Sequence, residues 1–252
     1  MKYVKNVIIV VFSLITICSS ANDFQNQNET LLCDIQENIY SAFISSFSTR
    51  NTNELSRIYS LLENNNDNLS IYWKSYSLYY QSLYYLKMGD RKLSEKKIKT
   101  AISVLDGLKA KDSEIYALIA YLQNYSMQFT NNEDIVNLMQ QIKSNAQKSI
   151  DIDSKNLRAW YVLGNLDLHM PTSSGGGQKC EEYLLKALSL KEKYSDDCKL
   201  PYWGKNESYN ALISYYIGVG KTRKAKSKLN EALKVFPDDY MLKKLEDKIK
   251  NE

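Results

Sequence analysis

The feature that most constrains this chain is an internal repeat near its C-terminus. Small, apolar and aromatic residues recur there over about 34 residues, in the pattern of two antiparallel helices joined by a turn. The positions are Tyr209, Leu212, Tyr216, Gly220, Ala225, Leu229, Ala232 and Pro237. Ala225 and Ala232 let the two helices approach closely, and Gly220 opens the turn between them. Pro237 cannot continue the helix and starts the next one.

Further copies of this unit precede it. One begins near Leu157, and its second helix follows after four inserted residues. Its matching residues are Trp160, Leu163, Gly164, Cys180, Leu184 and Ala187. A weaker copy matches at Tyr85, Gly89, Ser94, Ile98 and Ala101, and residues 115–150 form a degenerate copy. Two earlier amphipathic segments, 31–47 and 54–62, fit the pattern poorly but have helical spacing.

From about residue 71 to the end, this pattern resembles the tetratricopeptide repeat (TPR). The resemblance implies an all-α fold, in which helix pairs stack into a solenoid with a concave inner face. The 3 prolines and 9 glycines agree, because a β-rich chain of 252 residues would need many more turn residues. We expect a signal peptide at 1–21, an N-terminal helical segment at 22–68 and a TPR-like solenoid at 69–252. Residues 240–249 would form a C-terminal capping helix.

The central region is similar to uncharacterised exported TPR proteins of Bacteroidetes-type bacteria. The residues that carry this likeness are Asn156 to Trp160, Met170-Pro171, Gly175-Gly176-Gly177, and Pro201-Tyr202-Trp203-Gly204. Leu157 stands where those proteins often have proline. The glycine insertion also resembles, more faintly, the TPR subunit of TRAP-type transport systems. That second likeness would imply a periplasmic protein-binding role without catalysis.

The N-terminal 21 residues read as a secretory signal. Lys2 and Lys5 precede an apolar run at 7–17, which is too short to span a bilayer, and small residues end at Ala21. We therefore predict export, for example to the periplasm, and no stable membrane span after cleavage. An uncleaved anchor and lipidation at Cys18 are the alternatives, although a bulky isoleucine precedes that cysteine.

Cleavage after residue 21 would leave three cysteines: Cys33, Cys180 and Cys198. An odd number leaves at least one thiol unpaired. Cys180 and Cys198 would lie near opposite ends of one helix, too far apart to bond unless the following loop folds back. We predict no disulfide framework. Cys180 takes the place of a small buried alanine, so we expect an inert buried thiol.

Composition argues against several kinds of site. A formal net charge of +4 with interspersed acidic and basic residues does not indicate nucleic-acid binding. The single histidine, His169, leaves few options for a metal, so we predict no metal and no cofactor. Ser173 to Gly177 precede a helix, whose N-terminus can hold an anion. This makes Gly175, Gly176 and Gly177 a weak anion-site candidate, and a wide turn that needs glycine is the simpler interpretation.

The repeat geometry of the resemblance points positions 2, 5, 9, 12 and 13 of each first helix into the groove. The candidate partner-binding residues are Arg158, Tyr161, Asn165, His169, Asn210, Ser214, Tyr76 and Tyr79. Aromatic and polar side chains of this kind suit an extended peptide or a helix. Trp203 falls in a loop, and we expect it to pack that loop onto the solenoid.

The leading hypothesis is an exported, non-catalytic TPR scaffold that binds a protein or peptide of the bacterial envelope in its groove. The alternative is a periplasmic carrier of a small molecule or lipid, with a cavity near the glycine insertion lined by Tyr161, His169 and Trp203. An enzyme using His169 and Cys180 is a third possibility, which requires the two side chains to meet in one solvent-reached pocket.

Overall fold

The computed structural model describes residues 32–172, 175–194 and 197–250. The predicted signal peptide, residues 1–21, lies outside these ranges. Eleven α-helices occupy the described residues, and no strand occurs among them. They are α1 (Ile35–Thr49), α2 (Asn53–Leu61), α3 (Asn68–Lys87), α4 (Arg91–Asp106), α5 (Ser113–Ser126), α6 (Ile135–Ile152), α7 (Leu157–His169), α8 (Cys180–Ser189), α9 (Lys205–Gly218), α10 (Thr222–Val235) and α11 (Tyr240–Lys250). The all-α prediction is confirmed.

Local sequence sets where several helices begin. The side chains of Asp67, Asp90, Asp112 and Asn156 accept hydrogen bonds from main-chain N–H groups at the starts of α3, α4, α5 and α7. The first N–H groups of a helix have no partner inside it, so a short polar side chain placed just before the helix stabilises its start. These four caps fix the starts of helices in the repeat region.

Small residues set the close approach of the two helices in a pair. The hydroxyls of Ser82 on α3 and Ser94 on α4 lie 2.9 Å apart, and each donates to the other residue's carbonyl oxygen at 2.8 Å. In the pair formed by α7 and α8, a Cβ added at Gly164 would lie 2.6 Å from the Leu184 side chain. Larger residues at these positions would push the helices apart.

The pairs stack in chain order, α1 with α2 through α9 with α10, and α11 follows α10. First helices of neighbouring repeat pairs (α3, α5, α7 and α9) contact one another, and they do so more closely than second helices do. The stack therefore curves with the first helices on its inner face. The capping helix predicted at residues 240–249 is present as α11, which buries Leu242 and Ile249.

The cysteine prediction was wrong. Cys33 and Cys198 form a disulfide with a Cα–Cα distance of 4.7 Å, although 165 positions separate them in the chain. The segment after α8 crosses the molecule to the start of α1, a path that no local pattern reveals. Among the described residues, Cys180 is the free thiol, and it is buried as expected.

Candidate functional site

The crossing segment, which we define as residues 197–204, covers one half of the inner face. Trp73 Nε1 donates to the Lys199 carbonyl oxygen at 3.1 Å, which ties the segment to α3. The Tyr202 main-chain N–H donates to Gln36 Oε1 at 2.9 Å, which ties it to α1. The segment thus runs over the N-terminal halves of the inner helices and is held by main-chain hydrogen bonds.

Trp203 anchors this segment among the tyrosines of the inner face. Its side chain is 3% exposed, and its Nε1 donates to the Tyr72 hydroxyl at 2.6 Å. Its ring centroid lies 4.5 Å from that of Tyr121 and 6.2 Å from that of Tyr161. The expectation that Trp203 packs its loop onto the solenoid is confirmed.

Arg158, a predicted groove residue, is instead a buried support for the crossing segment. Its side chain is 2% exposed and binds Glu114 through two contacts of 2.7 and 2.8 Å. Its Nη1 also donates to the carbonyl oxygens of Pro201 and Trp203 at 3.0 and 3.1 Å. Burial opposes the charge, but Glu114 outweighs it and the pKa of Arg158 is raised. This residue is therefore not available to a partner, because its donors are already used inside the protein.

A concave pocket of about 570 Å³ occupies the other half of the inner face. Its walls come from α3, α5 and α7, mostly from their C-terminal halves, and from the short 3-10 turn after α5. The lining residues are Tyr79, Tyr121, Asn124, Tyr125, Met127, Gln128, Tyr161, Asn165 and His169. Four of the predicted groove residues, Tyr79, Tyr161, Asn165 and His169, are among them.

Several polar groups at this pocket have no hydrogen-bond partner among the described residues. They are the Tyr161 hydroxyl, the side-chain amides of Asn124 and Asn165, and the His169 imidazole. Tyr161 is only 7% exposed, so its ring is held firmly while its hydroxyl remains unpaired. Tyr79 differs, because its hydroxyl lies 2.8 Å from that of Tyr121. These unpaired hydroxyl, amide and imidazole groups are able to form hydrogen bonds with a ligand.

The remaining predicted groove residues lie elsewhere. Tyr76 is 3% exposed and stacks against Trp203, with ring centroids 6.3 Å apart. Ser214 is exposed on α9, and Asn210 is partly buried on the same helix, where its Nδ2 donates to the Asn206 carbonyl oxygen at 3.1 Å. The sequence pattern did not identify Tyr121, Asn124 and Tyr125 as pocket residues. They lie in the degenerate repeat, whose pattern is too weak to show which positions face the inner side.

The glycine insertion forms a turn in which the main-chain N–H groups of the three glycines are hydrogen-bonded within the protein. The main-chain N–H groups of Gly175, Gly176 and Gly177 all donate to carbonyl oxygens within the loop and α7, at 2.9 to 3.1 Å. A Cβ at Gly176 would stand 1.9 Å from the Met170 carbonyl oxygen, and Gly175 and Gly177 have positive φ. An anion would have to displace these hydrogen bonds, so the arrangement favours the turn over the predicted anion site.

Cys180 and His169 do not share a pocket. Cys180 is fully buried on α8, and burial, followed by the nearby charge of Asp167, raises the pKa of its thiol to about 12. His169 is exposed and lines the inner-face pocket. No group of three or more His, Cys, Asp or Glu side chains that could hold a metal occurs in the described ranges. In that same part of the chain, no helix is long and apolar enough to cross a membrane.

Comparisons with known proteins identify the fold. No protein-family model matches the sequence, and no curated protein matches it. Among solved structures, the chain is similar to TTC0263, a thermophilic TPR protein of Thermus thermophilus, with a TM-score of 0.57 and 16% identity over 86% of this chain and 100% of that one. It also matches MamA, at a TM-score of 0.35 and 16% identity over 72% of this chain and 85% of that one. The chain is therefore a helical solenoid with the tetratricopeptide-repeat fold.

Proposed function

We propose that this chain is a non-catalytic scaffold that binds a segment of another protein in the inner-face pocket. The observation that carries the proposal is the pocket itself, a concavity of about 570 Å³ that presents rigid tyrosine rings beside unpaired polar groups. Rings of this kind pack against side chains at low entropic cost, and the amides of Asn124 and Asn165 match the donors and acceptors of a peptide backbone.

The crossing segment supports the choice of a protein segment as the ligand. It lies on the same inner face, where Gln36 accepts from a main-chain N–H and Arg158 donates to two main-chain carbonyl oxygens. An aromatic side chain, Trp203, fills the space between the tyrosines. The inner face therefore already holds one non-helical stretch of chain, through hydrogen bonds between side chains and its main chain and through an aromatic anchor. The other half of the inner face, which forms the pocket, likewise has polar side chains that can pair with a main chain and aromatic rings that can pack against a side chain.

We further propose that the protein works after export, with a partner in the bacterial envelope. The support for this part is the sequence of residues 1–21, which reads as a secretory signal. The Cys33–Cys198 disulfide agrees with an oxidising compartment, because such bonds rarely persist in a reducing cytosol.

The test is an affinity capture from native envelope extract, read by mass spectrometry. The first bait is the protein itself. A pocket variant carries Asn124→Ala, Asn165→Ala and His169→Ala, and a control variant carries three changes on α10, Ser227→Ala, Asn230→Ala and Lys234→Ala. We expect a protein that the native and control baits retain and the pocket variant loses. Equal recovery by all three baits would refute the proposal.

A small-molecule carrier is the second candidate. Its support is the pocket volume, which falls within the range of about 300–1,000 Å³ typical of small-ligand sites. The pocket lies at His169, at the end of α7 that leads into the glycine insertion. Native mass spectrometry of the purified protein distinguishes the two. A bound mass below about 1 kDa that the pocket variant lacks would favour the carrier.

A further inference from the structure

Four tyrosine rings in the lining of the inner-face pocket are set at steep angles to one another. The centroids of Tyr79 and Tyr125 lie 5.1 Å apart with an interplanar angle of 90°. Tyr79 and Tyr121 are separated by 5.2 Å at 65°, and Tyr121 and Tyr161 by 6.2 Å at 50°. Neighbouring rings thus meet as walls of a box rather than as a flat stack.

Among the described residues, the lining of the pocket contains no ammonium, guanidinium or carboxylate group. The guanidinium of Arg91 is engaged outside the lining, where it stacks over the Phe129 ring at 4.9 Å and donates to the Gln128 carbonyl oxygen. Lysines and arginines of the chain lie over tyrosines elsewhere, but in the described ranges none lies over these four rings. The parts of these rings that line the pocket therefore carry no cation of the protein.

One acidic side chain lies near the pocket wall. Burial, followed by the negative charge of Glu207, raises the pKa of Tyr161. Glu207 lies at the start of α9, where its Oε2 accepts from the Gly204 main-chain N–H at 2.6 Å. Aromatic faces carry negative electrostatic potential, and several rings around one space bind organic cations.

We propose that the tyrosine box, formed by Tyr79, Tyr121, Tyr125 and Tyr161, holds an organic cation, supplied by a lysine or arginine side chain of the bound protein segment. This inference rests on the proposed function, and it assigns the chemistry of the anchor residue. The ring faces stabilise the cation, and the amides of Asn124 and Asn165 pair with the adjoining backbone. An anionic side chain would be rejected, because the lining residues offer it neither an ammonium nor a guanidinium partner.

The test uses two pairs of probes that differ only in charge. The methylamide of Nα-acetyl-lysine is compared with that of N-acetyl-2-aminoheptanoic acid, whose side chain has a methyl group in place of the ammonium. Choline is compared with its neutral isostere 3,3-dimethylbutan-1-ol. Binding is measured by calorimetry or tryptophan fluorescence. We expect the cation of the lysine pair to bind about tenfold more tightly than its neutral partner. Discrimination in the choline pair alone would assign a free ammonium ligand and overturn the peptide source. Equal binding within both pairs, or no binding at all, would overturn the cation box.

Variants at Tyr125 separate the ring from its hydroxyl. Tyr125 is partly exposed, and its hydroxyl makes only long contacts of 3.3 and 3.5 Å to Ser82 and Ser94. Tyr125→Phe should keep the preference for the cation, whereas Tyr125→Leu should abolish most of it while circular dichroism shows unchanged folding. A capture experiment that succeeds when the probes show no charge preference would leave the scaffold proposal standing and refute the cation box alone.

Discussion

Replacing Arg158 with alanine should destabilise the fold strongly, because this residue joins three parts of the chain. Its guanidinium makes a two-contact ion pair with Glu114 on α5, at 2.7 and 2.8 Å. It also donates to the carbonyl oxygens of Pro201 and Trp203 in the crossing segment, at 3.0 and 3.1 Å. Alanine removes all of these donors and leaves a cavity where a fully buried side chain stood.

The expected cost follows from what is left behind. Removing one partner of a buried ion pair costs about 3–5 kcal/mol. The Glu114 side chain is 19% exposed, so water can reach part of its carboxylate and moderate the penalty. We therefore expect a loss of about 3 kcal/mol in the free energy of unfolding for Arg158→Ala. Arg158→Lys should lose about half as much, since an ammonium keeps the charge but cannot reproduce the planar, two-contact geometry.

Urea denaturation followed by circular dichroism measures these values. Arg223→Ala, which removes an exposed arginine on α10, is the control and should change stability by less than about 0.5 kcal/mol. Arg158 also contacts a second carboxylate, Glu192, through Nη1 and Oε2 at 3.3 Å. The double variant Arg158→Met with Glu114→Leu should regain part of the loss, because it removes one of these two carboxylates together with the guanidinium. A loss below about 1 kcal/mol for Arg158→Ala would refute the assignment of this residue as a structural support.

Three further predictions follow from the same packing. Serine at both Cys33 and Cys198 should lower the free energy of unfolding by up to about 5 kcal/mol, the chain-entropy value for a loop of 165 residues, and an unchanged urea midpoint would contradict this. Gly176→Ala should lower the melting temperature, because its Cβ would meet a main-chain carbonyl oxygen at 1.9 Å, whereas Gly218→Ala has open space and serves as the neutral control. The Cys180 thiol should resist alkylation in the native protein and react only after unfolding, as peptide mass spectrometry would show; rapid native labelling would contradict its burial.

The helices could be predicted from the sequence because their signals are local. The spacing of residues such as Ala225 and Leu229 depends only on the helical period, and the caps at Asp90 and Asp112 act within one turn. The predicted segments 31–47 and 54–62 accordingly match α1 and α2 within a few residues. The inner-face positions were predictable for α7, where Tyr161, Asn165 and His169 reach the pocket, because that repeat has a clear register.

Only the tertiary structure determined which part of the inner face is covered and which part forms a pocket. The crossing segment pairs with residues far away in the chain: Trp203 bonds Tyr72 across 131 positions, and Tyr202 bonds Gln36 across 166. No periodicity encodes contacts of that length, since they depend on how the stacked pairs curve and bring the two regions together. That curvature buries Arg158, joins Cys33 to Cys198 and leaves one half of the groove open. The sequence by itself determined the repeats, whereas long-range packing determined the binding surface.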